Sequence, residues 1–315
     1  MISRRELLRQ TGLLALFGAG LGSDVFAQKD NKGNKAKKGV LRFAHLTDVH
    51  LEPEMNAPAG LAKCLHHLQS QKHQPSFIMS GGDSIFDALN QPKDRVEVQW
   101  KLWQDIFKQD NSLPVEYCIG NHDCWGFGQK EDPLYGKQYA MEKMQLATPY
   151  RSFDKGGWHF IVLDSIQPKT DGTWYTCMLG EAQLDWLQKD LAATPATTPV
   201  IVVSHVPIMS AATVVVGNKM KDDQGYVLGP GAMHTDAPRI IEIFDKYPNV
   251  KLCLSGHIHL YEQIVYNGVT YISNGAVCGN WWKGTRYRTA NGYAMVNLYH
   301  DGSFENEYVP YGWEV

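Results

Sequence analysis

The chain of 315 residues has no apolar run of about 20 residues, the length a bilayer-spanning helix needs. It has six cysteines but no Cys-x-x-Cys pair, so neither a zinc ribbon nor a thioredoxin-type redox motif is written in it. It also lacks excess positive charge. A formal net charge of −3 argues against a nucleic-acid binder that works by neutralising phosphates. Hydrophobic residues are not scarce, at 43% against 20% charged, which excludes a disordered or collagen-like chain. Nine tryptophans and fifteen tyrosines leave aromatic surface for core or for binding walls.

Charge is unevenly spread. Residues 1–39 carry +5 and the remainder −8. The start, Met1-Ile2-Ser3-Arg4-Arg5-Glu6-Leu7-Leu8, is followed by a short apolar run, Leu13 to Leu21, and by Val25-Phe26-Ala27. A basic start, a short apolar core and a Val-x-Ala site describe a removable export signal over residues 1–27. The Ser-Arg-Arg-x-Leu-Leu stretch resembles a twin-arginine address read by export machinery. The expected location is therefore periplasmic or secreted, with no transmembrane segment in the mature chain. Residues 28–39 are polar and lysine-rich and read as a flexible linker. The six cysteines are expected to be mostly reduced structural thiols, since Cys118 and Cys253 sit in apolar, strand-like runs.

From Val40 onward, short apolar runs alternate with helix-like stretches. The strand-like runs are Leu41–Leu46, Ser76–Met79, Val115–Ile119, His159–Leu163, Val200–Val203 and Lys251–Leu254. This alternation predicts an α/β domain over residues 40–315 with largely parallel strands and helices outside. After Leu260 only strands follow, with hairpin signals at Asn267-Gly268 and Asp301-Gly302.

Five of these runs end in a cluster containing Asp, His or Asn. They are Thr47-Asp48-Val49-His50, Gly81-Gly82-Asp83, Gly120-Asn121-His122-Asp123, Ser204-His205 and Gly256-His257-Ile258-His259. Ligands in open α/β sheets bind beyond the carboxyl ends of strands. Carboxylates and imidazoles gathered there without Lys or Arg would repel one another unless cations sit between them. Extended backbone would point Asp48 with His50, and His257 with His259, toward one cavity. Mixed nitrogen and oxygen ligation suits Mn, Fe, Zn or Co, and seven candidate ligands suit two metals with a shared carboxylate.

The ordered set Asp48-x-His50, Gly82-Asp83, Gly120-Asn121-His122-Asp123, His205 and Gly256-His257-x-His259 resembles the calcineurin-like metallophosphoesterase family. The resemblance implies a four-layer α/β/β/α sandwich of two mixed sheets flanked by helices. It implies that Asp48, His50 and His259 bind one metal, that Asn121, His205 and His257 bind a second, and that Asp83 bridges. It further implies that His122 protonates the leaving oxygen and that Asp123 orients His122. The implied cofactors are two divalent or trivalent transition metals, Mn, Fe or Zn. The implied reaction is hydrolysis of a phosphodiester or phosphomonoester by in-line attack of a metal-bridging hydroxide. The acidic domain suits a small phosphorylated substrate rather than nucleic acid. The alternative is a non-catalytic, metal-loaded binding module of the same fold, which would be expected to lose ligands or the acid histidine.

One departure stands out. Where family members read Gly-Asp-x-x-Asp or Gly-Asp-x-x-Tyr, this chain has Phe86, followed by Asp87. Phe86 cannot ligate iron, which argues against a purple chromophore and weakens the case for a cyclic-nucleotide subtype. Asp87 reads either as support for the site or as a helix-start carboxylate. Substrate walls are expected in the loops after the ligand strands, at Trp125, Trp281, Trp282, Arg286 and Arg288. His234 reads as a surface loop residue.

Overall fold

The computed structural model describes residues 39–216, 218–220, 225–229 and 231–314. The expected export signal, and the linker apart from Gly39, lie outside them. The element order is β1 (Gly39–Leu46), α1 (Ala57–Gln69), β2 (Ile78–Ser80), α2 (Lys93–Asp110), β3 (Val115–Tyr117), α3 (Gln138–Met144), β4 (Arg151–Lys155) and β5 (Trp158–Val162). Next come β6 (Ile166–Pro168), β7 (Trp174–Cys177), α4 (Glu181–Ala193), β8 (Val200–Val203), α5 (Thr213–Val216), β9 (Asn218–Met220), β10 (Tyr226–Leu228) and α6 (Ala237–Phe244). The chain ends in β11 (Val250–Ser255), β12 (Glu262–Tyr266), β13 (Val269–Ser273), β14 (Gly292–Tyr299) and β15 (Phe304–Pro310).

Two mixed sheets result, in the orders β15-β14-β1-β2-β3 and β12-β13-β11-β8-β5-β4. In the first sheet β1, β2 and β3 are parallel, while β14 runs antiparallel to β1. In the second, β5, β8, β11 and β13 are parallel.

Alternation along the strands separates three apolar layers. Phe43, Phe160, Val162, Ile201, Val203, Leu254 and Val296 meet between the sheets. Their neighbours Ala44, Leu46 and Met295 face the helix layer of α1 and α2 instead. Ile161, Val200, Val202 and Cys253 face α4 and α6. A strand buried on both faces must be apolar at every position, which is why these runs read as continuous. The helices bury one stripe each: Leu61, Cys64, Leu65 and Leu68 in α1, and Val96, Trp100, Trp103 and Phe107 in α2. The four-layer α/β/β/α sandwich implied by the sequence resemblance is therefore present.

Strand β4 and the hairpins β6–β7 and β9–β10 have no apolar run to mark them in the sequence. β4 reads Arg-Ser-Phe-Asp-Lys and lies at a sheet edge, where charge guards unpaired backbone. All six cysteines are buried and free. Among the described residues no helix is long and apolar enough to cross a membrane.

Candidate metal centre

The loops after β1, β2, β3, β8 and β11 meet at one edge of the sandwich. Backbone bonds knit them together: Asp48 N–H donates to Gly82 O at 3.0 Å, His50 N–H to Asp83 O at 2.9 Å, and Gly256 N–H to His205 O at 3.0 Å. The Asp48 carboxylate accepts the His257 N–H at 2.9 Å and the Thr47 hydroxyl at 2.6 Å, so one side chain ties the two sheets. A Cβ on Gly120 would strike Asp83, and one on Gly256 would strike Asp48, so glycine is required where the loops touch.

Five of the seven candidate ligands, Asp48, His50, Asp83, His257 and His259, have left-handed φ between 46° and 71°. Extended backbone therefore does not explain the Asp-x-His and His-x-His convergence, contrary to the i, i+2 expectation. Tight left-handed turns aim these side chains. Such residues cost on the order of 1–3 kcal/mol each and persist where surrounding structure holds them.

Their donor atoms converge. His50 Nε2 lies 3.0 Å from His259 Nε2, and Asp48 Oδ1 lies 3.3 Å from the latter. On the other side, Asn121 Oδ1 lies 3.2 Å from His205 Nε2 and 3.0 Å from His257 Nδ1. Asp83 stands between, its Oδ2 at 3.5 Å from His50 Nε2 and 3.1 Å from His205 Nε2. Three-residue groupings that could each hold a metal ion include His50, Asp83 and His122, and Asp83, His205 and His257.

The far nitrogen of each histidine is occupied. His50 Nδ1 meets Phe86 O at 3.3 Å, His205 Nδ1 meets Gly81 O at 2.9 Å, His259 Nδ1 meets Gly279 O at 2.8 Å, and His257 Nε2 meets Gly231 O at 2.6 Å. Four carbonyls thus select the tautomer and turn the other nitrogen into the cluster, the arrangement metal-binding histidines use. Burial pushes His257 down to about 4 and lowers His50 well below its usual range. Burial acts the same way on His205, but Asp83 and Asp48 outweigh it and lift that imidazole to about 9. A cation placed among these groups would balance the buried Asp48 and Asp83 carboxylates. The donor set therefore fits metal.

His122 sits beside this cluster. Its backbone N–H donates to Asp83 Oδ1 at 2.8 Å and its Nδ1 lies 3.2 Å from Asp87 Oδ1. Burial lowers this imidazole, but Asp83 and Asp87 more than offset it, so His122 is raised above its usual range. Asp87, 35 positions away in sequence, therefore holds the orientation expected of Asp123. The Asp123 carboxylate instead accepts the N–H groups of Asp83, Ser84 and Gly120 at 2.8–2.9 Å. Being fully buried under the loops, Asp123 braces the Asp83 turn and does not touch the His122 ring.

The expected substrate residues divide. Trp281 lies on the cluster, 3.9 Å from His50 between ring centroids and 5.2 Å from His122. Trp282 is a correction: it is fully buried, and its Nε1 donates to His50 O at 3.0 Å. Trp125 is another: it is buried in the helix-layer core and donates to Gln91 O. Arg286 is half-buried in a bridge to Thr289 and Arg288 is exposed. Among the described residues, neither arginine has a hydrogen bond or ion pair to the cluster. His234 is buried, not at the surface, with Nε2 3.0 Å from Ser204 Oγ and Nδ1 3.3 Å from Asp236.

A two-sheet sandwich carrying this His/Asp/Asn cluster at its strand ends is the architecture of a metal-dependent phosphoric ester hydrolase. Residues 41–261 match the model of the calcineurin-like phosphoesterases, and the chain belongs to that family. It is 24% identical over 87% of its length to 95% of a 3′,5′-cyclic-nucleotide phosphodiesterase of Nostoc sp.. It is 23% identical over 87% of its length to 91% of a 3′,5′-cyclic adenosine monophosphate phosphodiesterase of Haemophilus influenzae. Among solved structures it resembles a dimetal phosphatase from Danio rerio, with a TM-score of 0.62 at 14% identity, covering 87% of this chain and all of that one. The cyclic-nucleotide relatives run against the inference drawn from Phe86. That residue offers its carbonyl to His50 and its ring to Trp281, 5.5 Å away, so it is a wall of the site rather than a failed ligand.

Proposed function

We propose that the protein hydrolyses a small organic phosphodiester at two transition metals, Mn, Fe or Zn, with His122 as general acid. Asp48, His50 and His259 would hold one metal, Asn121, His205 and His257 the other, and Asp83 both. Bound there, the metals supply an activated water and neutralise phosphoryl charge. In the reaction a P–O bond forms to the water oxygen and the P–O bond to the alcohol breaks. The His122 proton goes to the departing oxygen, and the water proton passes to solvent. Asp87 keeps His122 protonated and aimed, and Trp281 keeps bulk water off His50.

The observation that carries this reading is the position of His122. It hangs from the same carboxylate that faces both histidine groups and has its own acidic partner. Diester is favoured over monoester by charge. Among the described residues no Lys or Arg is paired to the cluster, so only the metals and the His122 imidazolium would balance a monoester dianion. The names of the relatives point the same way. The test is a comparison of bis- and mono-p-nitrophenyl phosphate on manganese-loaded protein. A higher kcat/KM for the diester is expected, and the reverse order overturns the diesterase assignment. We further propose that the basic leader exports the protein. Mass spectrometry of the mature chain should then place its N-terminus after Ala27.

A further inference from the structure

A cavity of about 500 Å³ opens beside the cluster, lined by Glu52, Glu54, Met55, Phe86, Trp281 and Lys283. Its walls are mostly apolar, and Trp281 and Phe86 meet edge to face with centroids 5.5 Å apart. Trp281 also reaches His122, at 5.2 Å. A leaving group protonated by His122 would therefore have Trp281 beside it.

The wall is held in place. Trp281 and Trp282 both have left-handed φ, 54° and 63°. Trp282 is fully buried, bonds to His50 O through its indole, and donates its backbone N–H to Cys278 O at 2.8 Å. One tryptophan is thus an anchor, and the strained backbone presents the other to the site.

The rim decides what the slot takes. Arg95 bonds Glu54 with both its terminal nitrogens and lies 3.7 Å from Glu52, and Lys283 adds a second cation. The two carboxylates are therefore already countered, which disfavours a cationic head group. A purely alkyl or phenyl group would leave the polar rim unused. A flat heteroaromatic ring uses both, with its face on Trp281 and its edge donors and acceptors toward Glu52 and Lys283.

We propose that Trp281, with Phe86, Glu52 and Lys283, forms a leaving-group slot selecting phosphodiesters whose leaving alcohol carries a nucleobase. This rests on the diesterase reading, because His122 as acid is what places the leaving group at this wall. The test compares 3′,5′-cyclic AMP with methyl riboside 3′,5′-cyclic phosphate, which keeps the phosphate ring and lacks the base. In wild type the base should lower KM about 10- to 100-fold, the range that aromatic stacking supports. Trp281→Ala should bring the KM ratio of the two substrates close to one, whatever happens to their common kcat, and Trp281→Phe should keep most of it. A second readout needs no turnover: adenosine should quench fluorescence in metal-free wild type and not in Trp281→Phe. Equal KM values in wild type, or an unchanged ratio in Trp281→Ala, overturns the slot. Absence of hydrolysis of either substrate with the adenosine quench intact overturns the diesterase reading and leaves the slot standing; absence of both overturns both.

Discussion

The two halves of the ligand cluster are built differently. The half made by Asp48, His50 and His259 is sealed: these side chains are at most 3% exposed, and Trp281 lies over His50. The half made by Asn121, His205 and His257 is closed below but open at His257, which is only partly buried. The carbonyls holding the histidines differ as well. The sealed half leans on Phe86 O and Gly279 O, next to the Trp281 loop, whereas His257 leans on Gly231 O of the long insertion between β8 and α6. On the two-metal proposal, the metal held by Asp48, His50 and His259 would therefore exchange more slowly than the one held by Asn121, His205 and His257. Asp83 is the group the halves have in common.

Asp83→Asn is the most severe way to break that comparison, because it removes the shared charge. Turnover should fall to background and metal content should drop in both halves, measured on purified protein. Removing one side is the next step down. His257→Ala should lose a single metal equivalent and retain the slowly exchanging one. In wild type a chelator should strip the metals in two phases, the fast phase being the one His257→Ala lacks; a single phase would show the halves to be equivalent.

His122→Ala leaves both halves intact and should lower turnover about 10²- to 10⁴-fold with full metal content. Metal loss in this variant would make His122 a ligand. The mildest change is Asp87→Asn, expected to cost about 10- to 100-fold, the effect usual for a residue that holds a working group. Its sign in pH is fixed. As the proposed acid, His122 must be protonated to act, so activity should fall as pH rises through its raised pKa. Removing the Asp87 charge destabilises the imidazolium, so the alkaline limb of kcat should move to lower pH. An unmoved limb would detach Asp87 from His122.

Much of this was readable in the chain. The five polar clusters follow apolar runs, and an apolar run followed by Asp, His or Asn is a local pattern. Three kinds of feature were not legible in that way. Asp123 is next to His122 in sequence, yet the turn at Gly120 folds its carboxylate under the loops, while Asp87 arrives from the β2 loop. Trp281 and Trp282 are neighbours of one type with opposite fates, decided by two consecutive left-handed residues that nothing in a Trp-Trp pair announces. Likewise, the carbonyls that fix the histidine tautomers belong to the backbone, which residue types do not reveal. Trp282→Ala should consequently lower stability by about 3–5 kcal/mol in denaturant unfolding, as core truncations do.

The most direct measurement is metal stoichiometry by inductively coupled plasma mass spectrometry, on wild type and His257→Ala saturated with manganese and desalted. Two metals per chain in wild type and one in the variant are expected. One metal in wild type, or two in the variant, would contradict a pair of unequal half-sites joined through Asp83.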